Sequence, residues 1–423
     1  MAPVIASRLP GPIEVQRWPS RKRWKRAAAL RWPIGNGAVP GAVFAAAIVV
    51  LLAFADGGYT PSAWRAAILV CVAAAGLRLV LGPVGRLTRA HGLVVGGLVA
   101  LAGWTALSAA WSPDPATSLL EAQRTLVYVA LAAAAAVLGG SLLFGTLAGI
   151  GVVCSWALGQ RFLAGPPDPP DPFEGTLLQE PLGYANGLGA LAAIGLVVAL
   201  TLIVREQRLR VVLVPLVAGF GVTLVLTGSR GGLAAAAIGA FVGLALAFGR
   251  ARIARLALVG AGLALALALA LPAGPYEDEL AERGGNRPLY WHVAWEDARD
   301  APLVGRGAGT FALSWLERRP IDDGARDAHS LYVETAGELG AVGLLLILLA
   351  LAPPLAVALR GRGSPAAAAG YVTFLAHAGV DWDWELPAVT VAGLLCGISV
   401  LLSERASSAG LEHLQSEPVE GVR

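Results

Sequence analysis

The sequence predicts an all-α fold: a polytopic transmembrane helical bundle of about 12 spans with one large outer loop. Three observations lead there. Hydrophobic residues make up 56% of the 423 and charged residues only 14%, where soluble chains carry about 25% charged. Apolar runs long enough to cross about 30 Å of hydrocarbon recur along the whole length. The loops between them alternate in charge, as they do when successive loops fall on opposite sides of a bilayer.

The runs fall at roughly 38–55, 64–82, 91–110, 125–143, 145–163, 183–204, 211–227, 232–249, 254–272, 331–352, 366–380 and 386–402. Only Gly139, Gly140 and Ser141 punctuate the pair at 125–163. Ahead of the first run, residues 1–36 form a basic tail with Arg21-Lys22-Arg23-Trp24-Lys25-Arg26. It is too basic and too far from any cleavage site for a secretory signal, and it suits anionic lipid heads. Basic loops belong on the cytoplasmic side. Counting spans from the tail puts Arg86 and Arg89, Arg205 to Arg210, Arg250 to Arg255, and Arg360 with Arg362 on that same side. Asp114 and Glu121, Asp168 to Glu180, and Asp381 to Glu385 fall on the other.

The expected organisation follows. A cytoplasmic tail (1–36) leads into helices one to nine (37–272), a large extracytoplasmic loop with short interfacial helices (273–329), the last three helices (330–403) and a second cytoplasmic tail (404–423). Both termini are expected inside a cell (inner or plasma) membrane. Two lysines accompany thirty arginines, a coding bias that makes arginine content alone uninformative. Cys71, Cys154 and Cys396 lie in separate spans without ligand spacing, so neither disulfide nor metal is expected.

Two outer loops stand out. Around 164–182, Pro166-Pro167-Asp168-Pro169-Pro170-Asp171-Pro172 is stiff and acidic. The loop 273–329 holds eleven acidic residues against seven arginines, a balance suited to the outer side. Within it, residues 286–295 read as a short helix, with Asn286 as cap and Pro288 in the first turn. Spacing of four aligns Arg287, Trp291 and Trp295 on one face, placed in the membrane interface that Trp prefers. A glycine-rich turn, Gly305-Arg306-Gly307-Ala308-Gly309, follows.

The chemistry-bearing residues cluster on that outer side. Thr227-Gly228-Ser229-Arg230-Gly231-Gly232 interrupts two apolar spans. It reads either as a tight turn whose arginine snorkels to the interface, or as an anion site of approachable backbone amides and a guanidinium fork. Arg287 is either a solvated charge or a partner for a lipid diphosphate. His329 opens the span at 331–352, where the positive end of the helix dipole favours the neutral imidazole a general base needs. The alternative is a histidine that merely hydrogen-bonds at a helix start. Glu334 and Glu338 share a face near the top of that span, so orientation of His329 or pairing with an arginine is expected. Asp381-Trp382-Asp383-Trp384-Glu385 contains an Asp-x-Asp, but interleaved Trp and carboxylate suit sugar stacking and hydroxyl recognition better than a metal-held nucleotide. Of the remaining histidines, His91 and His413 fall inside, His292 lacks an evident partner, and His377 packs or binds near the outer end of its span.

In this order and spacing the motifs resemble the O-antigen ligase and Wzy-type O-antigen polymerase family. They are Gly183-Tyr184-Ala185-Asn186-Gly187, Thr227 to Gly232, Arg287 to Trp291, the Pro302-Leu303-Val304-Gly305 turn, and Ala328-His329-Ser330-Leu331-Tyr332 followed by Glu338-Leu339-Gly340. The similarity spans about 180–352. The resemblance implies a GT-C-like, metal-independent membrane glycosyltransferase without cofactor. It would move a glycan from an undecaprenyl diphosphate carrier to a hydroxyl of a glycan, lipid or protein acceptor. It implies His329 as the base and Arg230 and Arg287 on the diphosphate. Asn186, Trp291, Glu334, Trp382 and Trp384 complete the expected substrate-binding set.

A transporter or flippase of lipid-linked sugars is the alternative class. Twelve spans fit it, yet no carboxylate sits at the middle of a span, where ion-coupled carriers need one. A membrane scaffold would leave the outer His and Arg pattern unexplained. No nucleic-acid partner is expected.

Overall fold

The computed structural model describes residues 39–416 apart from 83, 85–86, 173, 254 and 256–284. The basic tail, Arg86 and most of the predicted span at 254–272 lie outside the described residues. Among those described, the chain is a helical bundle without strands: α1 (Val39–Ala53), α2 (Pro61–Leu81), α3 (Arg89–Ser108), α4 (Pro115–Leu138), α5 (Leu142–Leu163), α6 (Ala185–Arg205), α7 (Arg210–Leu226) and α8 (Arg230–Ala247) come first. Two short helices follow, α9 (Arg287–Asp300) and α10 (Phe311–Arg318), then α11 (Leu331–Leu359), α12 (Pro365–His377) and α13 (Pro387–Ser416).

Among the described residues, nine helices are long and apolar enough to cross a membrane. Two of the twelve predicted spans, α1 and α12, are shorter than a full crossing. The thirteen residues of α12 rise only about 20 Å. Its seam against α8 is tight: a Cβ added at Gly243 would stand 2.5 Å from Ala369 Cβ. Beyond α12 the chain makes a polar turn over 378–386, and Asp381, Asp383, Trp384 and Glu385 there are all buried. Irregular backbone inside a bundle survives only where protein covers it, and here α6, α4 and α11 do so. The expected tail from 404 begins as helix, since α13 continues to Ser416.

The predicted break at Gly139-Gly140-Ser141 separates α4 from α5. α4 starts earlier than its apolar run, at Pro115, because Asp114 caps it by accepting from Thr117 N (3.1 Å). This brings Glu121, expected in a loop, into the helix, together with Arg124.

The 285–330 segment docks on the end of the bundle through backbone. α11 breaks at Gly340 (φ 65°, ψ −166°), and the opened turn takes Arg306 N onto Gly337 O (3.1 Å) and Gly307 N onto Glu338 O (2.8 Å), while Ala341 N reaches Pro302 O (2.9 Å). Glu338 adds both carboxylate oxygens, accepting from Gly309 N (2.8 Å) and Phe311 N (3.0 Å). A small core of Tyr290, Val293, Ala294, Phe311, Trp315, Ala328 and Val333 fills the space beneath. Gly305 is the tightest point: its φ is +69°, and a Cβ there would lie 2.2 Å from the Glu338 carbonyl. Gly305→Ala is expected to destabilise the docked segment by about 1–3 kcal/mol, read as a lower melting temperature of the detergent-purified protein. An unchanged melt would contradict this account of the docking.

Candidate active site

His329 lies where the docked segment turns into α11. Its φ is +55°, a left-handed conformation that costs a non-glycine residue of order 1 kcal/mol and persists only when its surroundings impose it. They do. Ala328 N donates to Glu334 Oε2 (2.6 Å), Trp291 Nε1 donates to the His329 carbonyl (3.3 Å), and Leu331 N donates to Ala378 O (2.8 Å). Glu334 and Trp291, expected to bind substrate, hold the backbone on either side of the imidazole. If His329 is a general base, removing the Glu334 carboxylate in Glu334→Ala should lower kcat by about 10²-fold by misplacing the imidazole and leave KM unchanged. Glu334→Gln keeps an acceptor oxygen and should retain most activity. Equal loss in both, or a change confined to KM, would assign Glu334 to another task.

The His329 ring is fixed as firmly as its backbone. Nδ1 lies 2.9 Å from the Asp327 carbonyl. A carbonyl only accepts, so in the neutral ring the hydrogen sits on Nδ1 and the lone pair on Nε2. The ring packs against Tyr290 (centroids 5.2 Å) and faces Trp382 (6.5 Å). Burial lowers its pKa from the ordinary value, with Asp381 pulling the other way.

Arg287 opens α9 with Pro288 in the first turn. Asn286 makes no side-chain cap on that helix; its amide nitrogen donates instead to Asp323 Oδ2 (2.6 Å), which fixes the side chain away from the first-turn N–H groups. Arg287 Nη2 donates to Asp381 Oδ2 (2.9 Å), while its buried Nε has no hydrogen-bond partner. The other oxygen of Asp381 accepts from Tyr184 OH (2.7 Å) and Trp382 N (3.0 Å). Asn186 stands behind, donating to Tyr184 OH (3.1 Å). The guanidinium is thus anchored at one nitrogen and left able to donate at another. Trp295, expected on the same face, is exposed, with Arg299 over its ring at 5.9 Å.

Arg230 begins α8 after the Thr227–Ser229 turn, where Ser229 caps the helix by accepting from Gly232 N (3.0 Å). The turn is connected to the rest of the site through Gly231: a Cβ there would stand 3.4 Å from both His377 Nε2 and Val380 Cγ2. Val380 immediately precedes Asp381, the partner of Arg287. Both arginines therefore flank one loop.

The two tryptophans of that loop part company. Trp382 is half-buried among Tyr184 (4.6 Å), Tyr59 (5.8 Å) and His329. Trp384 is buried against Tyr128 (4.5 Å), which donates to the Trp384 carbonyl, so of the two rings only that of Trp382 is partly open at the surface. Tyr59 itself carries the Arg326 guanidinium over its ring at 5.3 Å. Tyr59, Tyr184 and Arg326 were not singled out as ligands from sequence.

Arg124 was missed altogether. It is buried on α4, bonded to Glu121 and to Glu385 Oε1 (2.9 Å), beside a polar cavity of about 30 Å³ that has room for about one water. Asp327, Glu334 and Glu385 bring carboxylate oxygens within 4.8 Å of one another there. That spacing would admit a cation, but Glu334 already accepts from Ala328 and Glu385 from Arg124. Burial, opposed by Arg124, pushes the Asp327 carboxyl up to about 6.

Residues 214–348 match the family model described as O-antigen ligase. That stretch is an O-antigen ligase family segment. It runs from within α7 to within α11 and contains Arg230, Arg287, His329 and Glu334, as the resemblance in the motifs led one to expect. The matched stretch, set among nine helices of the described residues that are apolar and long enough to cross a bilayer, fits a membrane protein of the O-antigen ligase kind. The loop with Asp381 and Trp382, and also Tyr184 and Arg124, lie outside the matched stretch yet complete its site. No curated protein matches the chain.

Proposed function

We propose that the protein moves a glycan from an undecaprenyl diphosphate carrier to an acceptor hydroxyl, without metal and with inversion, on the extracytoplasmic face of the cell membrane. The observation that carries this reading is the pairing of a histidine whose free lone pair is on Nε2 with a guanidinium, Arg287, that keeps an unengaged buried donor. His329 takes the proton from the acceptor hydroxyl as that oxygen forms its bond to the anomeric carbon. The carbon–oxygen bond to the diphosphate breaks, and its electron pair leaves with undecaprenyl diphosphate. Arg287 and Arg230 neutralise the charge that develops on the leaving group, as a divalent ion does in other enzymes. Attack from the face opposite the diphosphate inverts the anomeric centre. The half-buried rings of Trp382 and Tyr59 suit the acceptor or donor sugar, since flat apolar faces match pyranose rings.

The test is transfer by the purified protein from an undecaprenyl-diphosphate oligosaccharide. New glycan–acceptor product with release of undecaprenyl diphosphate supports the enzyme. Movement of the donor across a vesicle bilayer with no product would favour the flippase instead. Sidedness is checked separately by reporter fusions near residue 300 and at the C-terminus, which should report opposite compartments. Equal signals would overturn this topology and with it the sidedness of the site.

A further inference from the structure

We propose that His377 and Asp383 are positioning residues of the donor site, fixing the first turn of α8 and with it Arg230 relative to Arg287. The proposal rests on Arg230 contacting the diphosphate as read above. Three carboxylates alternate along the 381–385 turn, and each engages a basic group on a different helix. Asp381 holds Arg287 of α9 (2.9 Å), Asp383 holds His377 of α12 (2.8 Å), and Glu385 holds Arg124 of α4 (2.9 Å). The Asp-x-Asp of the sequence is thereby a spacer between two cationic sites.

His377 is fully buried, and its Nδ1 reaches both Asp383 oxygens (2.8 and 2.9 Å). A carboxylate accepts, so Nδ1 carries hydrogen and the ring orientation is set. The opposite nitrogen, Nε2, has no hydrogen-bond partner and lies against Gly231, the residue next to Arg230. The contact sits at the end of the closest helix seam in this part of the bundle: a Cβ at Gly239 would come within 1.9 Å of Thr373 Oγ1. With the seam this tight, the imidazole has no slack, and its position is passed to the start of α8. Asp383 is itself held from behind, its carbonyl accepting from Thr390 Oγ1 (2.7 Å). Stability alone does not call for such a pair, because well-packed apolar residues serve a buried position at least as well as a buried ion pair.

Donor KM and kcat, measured on the full-length purified protein with undecaprenyl-diphosphate oligosaccharide, test this in a double-mutant cycle. His377→Gln and Asp383→Asn should each raise donor KM about tenfold, the worth of one charged hydrogen bond, with a smaller effect on kcat. In an Arg230→Ala background either change should add no more than about twofold, since coupled residues are non-additive. In an Arg287→Ala background the effects should multiply. Gly231→Val reaches the same contact from the α8 side, leaves the His–Asp pair intact, and should reproduce the KM effect if the pair variants fold poorly. Unchanged donor KM in these variants, or full multiplication with Arg230→Ala, would overturn the proposal. If Arg230→Ala itself leaves donor KM unaltered, the diphosphate role of Arg230 fails, and the positioning role has nothing to act through.

Discussion

His329→Ala is expected to lose about 10² to 10⁴ in transfer rate, the usual worth of a general base, while donor binding stays near wild type. Only proton removal is disabled: the diphosphate contacts lie elsewhere, and the backbone around residue 329 is held by Glu334, Trp291 and Ala378 rather than by the imidazole. The pH dependence has a definite sign. The base works unprotonated, and burial sets its pKa below the ordinary histidine value. Activity should therefore climb as pH rises through that lowered value and be flat by neutral pH. Below it, the imidazolium has no lone pair to offer on Nε2. The acidic limb of the kcat/KM profile should vanish in His329→Ala. Near-normal turnover of that variant, or an acidic limb that survives it, would remove His329 from the chemistry.

Arg287→Ala and Arg230→Ala should weaken donor binding and turnover together, because a diphosphate is held in both the ground and the transition state. For Arg287 the loss has a second part. Asp381 is left as a buried carboxylate with only Tyr184 and a backbone amide, and an unpaired buried charge costs several kcal/mol. Arg287→Lys should recover only part of the activity, since an ammonium keeps the charge and loses the planar fork. Donor KM and kcat of the purified variants decide this. A fall in kcat at constant donor KM would move the arginine from binding to chemistry, and no change in either would leave it structural.

Features carried by local spacing were legible in the sequence. His329 stands out because a polar loop ends on it and an apolar helix begins two residues later. Arg287 and Trp291 are four apart on a helix start, and both do turn toward His329 and Asp381. What joins them was not legible, because it is non-local. Asp381 is 94 residues from Arg287, and Glu385 is 261 from Arg124. Asn286 failed as a cap for the same reason, since Asp323, 37 residues away, takes its amide nitrogen and turns the side chain from the helix start. Trp382 and Trp384 looked equivalent in sequence, but the short 3-10 turn at Asp383–Glu385 sends one toward the site and the other into the core. The count of twelve full spans fell short at α12. An apolar run measures hydrophobicity, and it does not reveal that the bundle ends a helix early to bury a polar turn.

The stereochemistry of a single transfer reaction in the presence of a chelator tests the central claim most directly. Purified protein given an undecaprenyl-diphosphate oligosaccharide of known anomeric configuration and a hydroxyl acceptor should form a product with the opposite configuration, at the same rate with and without the chelator. Retention of configuration, or activity abolished by chelation and restored by a divalent metal, would contradict a one-step displacement driven by His329 and two arginines.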